Sequence, residues 1–152
     1  MEVYRLSREK FAGTLSGKGA AIKGARWNSV GVEIIYTAAN RSLAMAEVAV
    51  HFTLATLPGD YMMITIFIPD NISLQKLSIT DLPVDWNTFP HPTTTQAIGD
   101  KFISANKYCI LQIPSAVTQG DYNLLINPNH PDFKRIKIIV TEKFPFDKRI
   151  FK

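Results

Sequence analysis

The chain has 152 residues, of which 46% are hydrophobic and 20% charged, as is ordinary for one globular domain with its own core. Its net charge of +4 suits an anionic ligand or an acidic partner. A nucleic-acid binder usually carries a denser basic stripe with interleaved aromatics, and no apolar run reaches the length of a membrane helix. The composition therefore predicts a single domain, residues 1–152, without membrane or direct nucleic-acid binding.

The first residues and the cysteine content indicate the compartment. Residues 1–5 lack the basic region and apolar core of a signal peptide. The single cysteine, Cys109, excludes an intramolecular disulfide and is typical of a reducing compartment. We expect a cytoplasmic location.

The first third of the chain begins with a short predicted strand at residues 3–6, which carries Arg5. Residues 12–24 contain four glycines and predict a flexible loop. It is not a Walker phosphate loop, because the spacing from Gly13 to Lys18 is wrong and Gly19 stands where Ser or Thr is required. Two interpretations stay open: a mobile surface loop, or a lid whose amides and lysines meet an anion.

Residues 33–37 are β-branched and aromatic and predict a strand, in which Tyr36 lies. Asn40 is a suitable cap for a helix expected to run to about residue 55, where Leu-Pro-Gly at 57–59 follows. Helical spacing places four apolar residues on one side of it: Leu43, Ala46, Val50 and Leu54.

Glu47 lies in the middle of that apolar side. A carboxylate there is costly to bury unless it is paired or hydrogen-bonded. Periodicity alone favours a structural ion pair at the edge of the stripe over a functional group. His51 points elsewhere on the same helix and is interpreted as structural.

The rest of the chain predicts further strands at residues 61–69, 74–77, 108–113, 123–126 and 133–140. Residues 70–92 form a long irregular crossing, in which Trp86 and Phe89 are expected to cover the edge of the core. A second helix is predicted at residues 93–106, and its expected buried side is Ala97, Ile98, Phe102 and Ile103. Six or seven strands and two helices in this irregular order predict an α+β fold.

Several chemistries are poorly supported by the residues. His51, His91 and His130 lie in different settings and Cys109 is alone, so no metal site is predicted. Ser115 lacks the Gly-x-Ser-x-Gly elbow of a serine hydrolase, and no dinucleotide fingerprint is present. What remains is a set of arginine, tyrosine, glutamate and serine near a glycine loop, suited to a phosphorylated ligand and a developing cation.

Several short motifs then occur in one order. They are Tyr-Arg at 4–5, Gly-Ala-Arg-Trp-Asn at 24–28, Tyr-Thr-Ala at 36–38, Leu-Ala-Met-Ala-Glu at 43–47, Ile-Gly-Asp at 98–100, Ile-Pro-Ser-Ala-Val at 113–117, Asn-Leu-Leu-Ile-Asn-Pro-Asn-His-Pro-Asp-Phe at 123–133 and Phe-Asp-Lys-Arg at 146–149. In this order the chain resembles the RES domain over nearly its whole length. One departure is Ala25, where a second glycine is common, and it stiffens the loop slightly.

The resemblance implies a toxin of a bacterial toxin–antitoxin pair with an ADP-ribosyltransferase-like α+β fold. Such proteins consume NAD, some by transferring ADP-ribose to phosphate or water, others by ADP-ribosylating a protein. NAD is then a substrate and not a resident cofactor, with inorganic phosphate as a co-substrate. The implied partner is a helix-turn-helix antitoxin that blocks the active site, and a homodimer is expected within the complex.

The resemblance also implies roles for individual residues. Catalytic roles are carried onto Arg26, Tyr36 and Glu47. NAD-binding roles are carried onto Arg5, Arg26, Trp27, Tyr36, Ser115 and Asn123.

These residue types suit the cleavage of the nicotinamide–ribose bond, which passes through an oxocarbenium-like transition state. Glu47 would stabilise the developing charge, and Arg26 would contact pyrophosphate or phosphate. Tyr36 would stack on nicotinamide or orient ribose, and Ser115 would bond the nicotinamide amide or a phosphate. A non-catalytic nucleotide-binding module stays as the alternative from a different class.

Overall fold

The computed structural model describes residues 1–151. Its strands are β1 (Glu2–Arg8), β2 (Ile35–Ala38), β3 (Tyr61–Phe67), β4 (Leu74–Lys76), β5 (Ile110–Pro114), β6 (Tyr122–Ile126) and β7 (Lys137–Lys143). Its helices are α1 (Lys18–Lys23), α2 (Arg41–Ala49) and α3 (Thr93–Ala105). Short 3-10 turns occupy Glu9–Phe11, Ile79–Asp81, Pro131–Arg135 and Lys148–Ile150.

The described strands form one mixed sheet in the order β4-β5-β6-β2-β1-β3-β7. The short edge strand β4 runs parallel to β5, and the other neighbouring pairs are antiparallel. The predicted α+β class, with six or more strands and a few helices, is confirmed.

The sheet opens at its centre, between β1 and β2. These neighbours share a single register pair, Tyr4 with Ala38. In contrast, β1 pairs with β3 along its whole length, and all four residues of β2 pair with β6. Strand β1 is therefore fully paired with β3 and β2 with β6, while β1 and β2 diverge from each other.

The core divides into three apolar clusters that support this opening. One carries alternate residues of the central strands, such as Val3, Ile35 and Ile64. A second joins Trp27 and Trp86 to Phe102 of α3. The third packs the start of α2 against β1, β2 and β3: Leu6, Ala38, Leu43, Ala44 and Met63. The predicted burial of Trp86 is confirmed, whereas Phe89 is 87% exposed, so the expectation that it covers the core is wrong.

Helix α2 is shorter than predicted. It ends at Ala49, and Val50 and Leu54 are exposed instead of lying on a buried side. After it, Thr53 and Thr56 bond each other's backbone and side chains. Threonine side chains compete in this way with helical hydrogen bonds, and β-branched residues also lower helix propensity. The helix therefore gives way to turns well before residue 55.

Three further expectations need correction. Residues 18–23, predicted as loop, form α1, which Ala20 and Ala21 favour. Ala97 is exposed, because α3 turns Thr95 and Gly99 inward beside Phe102. The last strand begins at residue 137 and not 133, since Pro131–Arg135 is a 3-10 turn with proline at its start. Within the described residues, no helix has both the length and the apolar character needed to cross a membrane.

Candidate active site

A cleft of about 790 Å³ opens where β1 and β2 diverge. Six residues predicted from the sequence line it together: Arg5, Arg26, Trp27, Tyr36, Glu47 and Asn123. The seventh, Ser115, is 4% exposed and lies behind Glu47. The fold therefore brings together residues that lie more than a hundred positions apart in the chain.

The loop at residues 24–28 forms one wall of the cleft and is held from several directions. Gly24 begins it with a φ of 70°, a left-handed conformation that glycine adopts without strain. Asn28 is fully buried, and its Nδ2 donates to the carbonyls of Ala20 at 2.9 Å and Val32 at 3.0 Å. From α3, Gln96 Nε2 donates to the carbonyls of Ala25 and Asn28. The loop's shape is thus set by protein contacts.

Helix α3 approaches this loop closely at Gly99. A Cβ atom built on Gly99 would lie 1.6 Å from the carbonyl oxygen of Trp27, so only glycine permits the contact. The next residue, Asp100, accepts hydrogen bonds from the backbone N–H of Ser29 at 2.9 Å and from its Oγ at 2.5 Å. The Ile-Gly-Asp motif therefore has a structural explanation: it docks α3 onto the wall of the cleft.

Tyr36 is fixed by the same loop. Its hydroxyl donates to Asn28 Oδ1 at 2.7 Å and accepts from the backbone N–H of Trp27 at 3.1 Å. Burial raises the pKa of Tyr36 well above its ordinary value. The phenol therefore stays neutral at physiological pH, and its hydroxyl is committed to the loop. The ring faces the cleft and is the part left to meet a ligand.

Glu47 faces the cleft from α2, whose first turn is capped by Asn40 Oδ1 accepting from the N–H of Leu43 at 2.8 Å. Ser115 Oγ donates to Glu47 Oε1 at 2.9 Å. The same Oγ accepts from the N–H groups of Val117 and Thr118, at 3.1 and 3.0 Å. The serine hydroxyl is thus fully engaged and orients the carboxylate. Direct contact between Ser115 and NAD stays a prediction.

Two arginines enter the cleft in different states. Arg26 Nη1 donates to the carbonyls of Trp86 and Thr88, both at 2.8 Å, which leaves Nη2 and Nε for a ligand. Burial lowers the pKa of Arg26, while the charge of Glu47 opposes that shift, so the two groups lie within electrostatic reach. Burial also lowers the pKa of Arg5, with no carboxylate of the described residues offsetting it. A bound anion would therefore offset the cost of burying both guanidinium groups.

Trp27 and Asn123 border the cleft with little freedom. Trp27 is 3% exposed, and its ring packs against that of Trp86 with centroids 6.5 Å apart, so most of it belongs to the core. Asn123 Nδ2 donates weakly to the carbonyl of Thr37 at 3.3 Å, between β6 and β2. Both positions agree with the predicted set, and their contact with NAD is untested.

The cleft also includes side chains that sequence reasoning did not assign to it. His51 follows α2 and lines the cleft, although it was interpreted as structural. Its spacing of four residues from Glu47 was a usable signal, since such positions share a helical face. Asn87, Phe89 and His91 enter from the irregular crossing, where no local pattern indicates which way a side chain points.

The predicted glycine loop contributes little to the cleft. Of residues 12–24, only Gly24 lines it. Lys18 and Lys23 are exposed on α1, and neither lines the cleft. The interpretation as an anion-binding lid therefore has no support in the geometry. Among residues 1–151, no group of three or more His, Cys, Asp or Glu side chains is placed to hold a metal ion.

Comparison with known proteins decides the family. A family model described as the RES domain matches residues 2–148. The chain belongs to the RES-domain family. This RES domain is 37% identical over 143 residues to a protein of Sphingobium sp. (strain YBL2) named "Prs ADP-ribosylating toxin", covering 93% of this chain and 89% of that protein. It is 36% identical to "Toxin Res" of Photorhabdus laumondii, covering 100% and 98% of the two chains.

A solved structure supports the fold of this RES domain. The M. tuberculosis MbcT–MbcA toxin–antitoxin complex contains a chain that superposes with a TM-score of 0.77. The match covers 95% of this chain and 84% of the other, at 21% identity. The agreement extends over nearly the whole RES domain and concerns its fold.

Proposed function

We propose that this RES domain is a toxin that cleaves the nicotinamide–ribose bond of NAD and transfers ADP-ribose to phosphate or water. The observation that carries the proposal is the Glu47 carboxylate, held by Ser115 at 2.9 Å and facing a cleft that also contains Arg26 and Tyr36. The Sphingobium relative named as an ADP-ribosylating toxin supports the same class of transfer.

The reaction begins with the bond between nicotinamide N1 and ribose C1′. The bonding electron pair leaves with nicotinamide, which departs neutral, so no strong general acid is needed. Positive charge develops over C1′ and the ring oxygen, as in glycoside hydrolysis. Glu47 stabilises that charge or holds a ribose hydroxyl. An oxygen of the acceptor, phosphate or water, then bonds to C1′, and the proton of that oxygen passes to solvent.

The remaining groups bind and orient. Arg26 and Arg5 provide two guanidinium groups for the pyrophosphate and for an attacking phosphate. The ring of Tyr36 packs on nicotinamide or ribose, since its hydroxyl is already bonded to Asn28. Trp27 and Asn123 complete the walls of the same site.

Product analysis tests this proposal and identifies the acceptor. NAD is incubated with the antitoxin-free protein, with and without inorganic phosphate, and the products are identified by mass spectrometry. Free nicotinamide with ADP-ribose 1″-phosphate in the phosphate arm indicates phosphorolysis, whereas ADP-ribose in both arms indicates hydrolysis. Unchanged NAD despite measurable binding contradicts the proposal and favours a non-catalytic nucleotide-binding module.

A second candidate is ADP-ribosylation of a specific protein, which the name of the Sphingobium relative favours. The same Glu47 and Arg26 would then act with a protein side chain as the acceptor. Labelled NAD added to a cell lysate with the protein would mark a discrete band, and the E47Q variant would not. Label that stays in small molecules contradicts this candidate.

The proposed partner is an antitoxin with a helix-turn-helix domain that covers the cleft, and the assembly is proposed to contain a toxin homodimer. The match to a chain of a toxin–antitoxin complex supports an antitoxin partner. Because NAD is the substrate, the proposed location is the cytoplasm. Co-expression with the antitoxin should yield a complex with no NAD cleavage, and full activity of that complex would contradict a blocking partner.

A further inference from the structure

Phe89 is an exposed aromatic residue that borders the proposed NAD cleft. Its side chain is 87% exposed, although a phenylalanine ring gains from leaving water. It lines the cleft together with Asn87 and His91, from the irregular crossing between β4 and α3. Neither the predicted site nor the reaction described above uses this ring.

The backbone around Phe89 is held in place despite this exposure. Arg26 Nη1 donates to the carbonyls of Trp86 and Thr88, the residue just before Phe89. Trp86 is buried, and its ring packs against Trp27. Thr88 Oγ1 also donates to the carbonyl of Asp85 at 2.9 Å. The backbone next to Phe89 is thus tied to Arg26 before any ligand arrives.

The groups around Arg26 suggest which part of the ligand contacts the ring of Phe89. Glu47 lies within electrostatic reach of Arg26, and Arg26 is bonded to the segment that carries Phe89. Arg26 thus neighbours both the carboxylate of Glu47 and the segment that carries the aromatic ring. NAD presents the nicotinamide ribose, the pyrophosphate and the adenine in this order. A bound NAD with its reactive ribose at Glu47 and its pyrophosphate at Arg26 would have its adenine within reach of the segment that carries Phe89.

We infer that Phe89 is a stacking platform for the adenine ring, with Asn87 and His91 beside it as hydrogen-bonding groups for the base edge. This inference deepens the proposed function and rests on it for the identity of the nucleotide. Stacking between a base and an aromatic side chain changes affinity by a factor of roughly ten to a hundred. Phe89 therefore contributes to binding and leaves the chemical step to Glu47.

The test compares the affinities of two overlapping fragments of NAD, one with the adenine and one with the nicotinamide. Calorimetry measures the binding of ADP and of nicotinamide mononucleotide to the wild type, F89A and F89W. The expected result is that F89A binds ADP about tenfold to a hundredfold more weakly and nicotinamide mononucleotide unchanged, while F89W retains ADP affinity. V84A is the matched control, because Val84 is fully exposed nearby and does not line the cleft.

Unchanged ADP affinity in F89A overturns the inference, as does a wild type that binds no ADP. A loss of affinity for nicotinamide mononucleotide but not for ADP would place the nicotinamide on Phe89 and would overturn the inference. If F89A weakens association with an antitoxin and leaves ADP affinity unchanged, the ring is a protein contact, and the inference is overturned as well. Failure of the proposed function is distinguishable, since ADP binding that depends on Phe89 can be observed even if NAD is never cleaved. If NAD is cleaved, F89A should raise KM and leave kcat within about twofold.

Discussion

The inner wall and the outer rim of the cleft are built in opposite ways. The inner wall consists of residues 24–28 with Tyr36, and its polar side chains bond other protein groups: Asn28 bonds three backbone carbonyls and the Tyr36 hydroxyl. The outer rim consists of Val50, His51, Asn87, Phe89 and His91, all of them exposed. The inner wall keeps its shape through protein contacts alone, and the outer rim presents exposed groups that a ligand would cover.

This difference indicates how the site divides its work. Groups that stabilise a transition state must be placed before the reaction, because reorganising them during the reaction would add to its barrier. The inner wall and the Ser115–Glu47 hydrogen bond meet that requirement. The rim groups need only gain from contact with the ligand, so their exposure in the free protein is compatible with a binding role. Each variant below tests one side of this division.

The largest expected effect is a loss of folding stability in the G99A variant. The new Cβ would collide with the carbonyl of Trp27, so α3 would have to move off the inner wall. Overpacking of this kind costs about 3 kcal/mol or more in the free energy of unfolding. Gly19 in α1 has open space around its Cβ position, so G19A is the matched control and should be neutral or slightly stabilising. Denaturant unfolding measures both, and equal stabilities would contradict a close-packed wall.

The next effect is on the rate, in S115A. This change removes the hydrogen bond that orients Glu47 and leaves the N–H groups of Val117 and Thr118 without their acceptor. We expect kcat for NAD cleavage to fall on the order of tenfold or more, with a small change in KM. S104A removes an exposed serine hydroxyl of α3 and serves as control. An S115A enzyme with wild-type kcat would show that Glu47 needs no support.

A smaller effect concerns Tyr36 and alkaline pH. Burial raises the pKa of Tyr36 in the folded protein, while in the unfolded chain a tyrosine ionises near its ordinary value of about 10. Its stabilising contribution is therefore complete below about pH 10 and is lost as the pH rises through the folded pKa. The pKa values of Tyr4 and Tyr61 are also raised, so the stability of Y36F should still fall at alkaline pH, but less steeply than that of the wild type.

The measurement for Tyr36 is the free energy of unfolding from neutral to alkaline pH, for the wild type and Y36F. At neutral pH, Y36F should lose about 1–2 kcal/mol, because Asn28 Oδ1 loses its donor. Y122F removes an exposed ring hydroxyl and is the control. An identical alkaline slope in Y36F and the wild type would contradict the burial of this hydroxyl.

The smallest effect is expected at the rim, in H51A. His51 is exposed and lines the cleft, and α2 has already ended before it. Surface substitutions usually change free energies by no more than about 0.5 kcal/mol, so kcat should stay within about threefold and thermal stability should not change. A much larger loss of kcat, with stability intact, would move His51 from the rim to the catalytic groups.

The sequence was sufficient to predict which residues lie together in the cleft, because its motifs occur in strands and at the ends of secondary-structure elements. Arg26, Tyr36, Glu47 and Asn123 were predicted together, and the cleft does bring them together. The α+β class followed from the order of the strand patterns. The single pairing between β1 and β2, which opens the cleft, could not be predicted, because register depends on contacts between distant segments.

The rim could not be predicted, for related reasons. Phe89 looked like a cover for the core, since nothing local distinguishes an aromatic residue facing the core from one facing a cleft. The length of α2 was overestimated because Val50 and Leu54 continue its apolar spacing, although the helix ends at Ala49 and Thr53 and Thr56 bond each other in the turns that follow. The contact of Ser115 with a ligand stays a prediction, and the hydrogen bond from its hydroxyl to Glu47 joins distant segments in a way that spacing does not reveal.

The most direct test of the central claim is nicotinamide release from NAD by the wild type and E47Q, measured side by side on folded, antitoxin-free protein. Glutamine keeps the shape of Glu47 and the acceptor for Ser115, and it removes the negative charge. We expect rapid release by the wild type and a rate lower by a factor on the order of 10²–10³ for E47Q, the scale of losing one preorganised contact. Equal rates for the two proteins would contradict it.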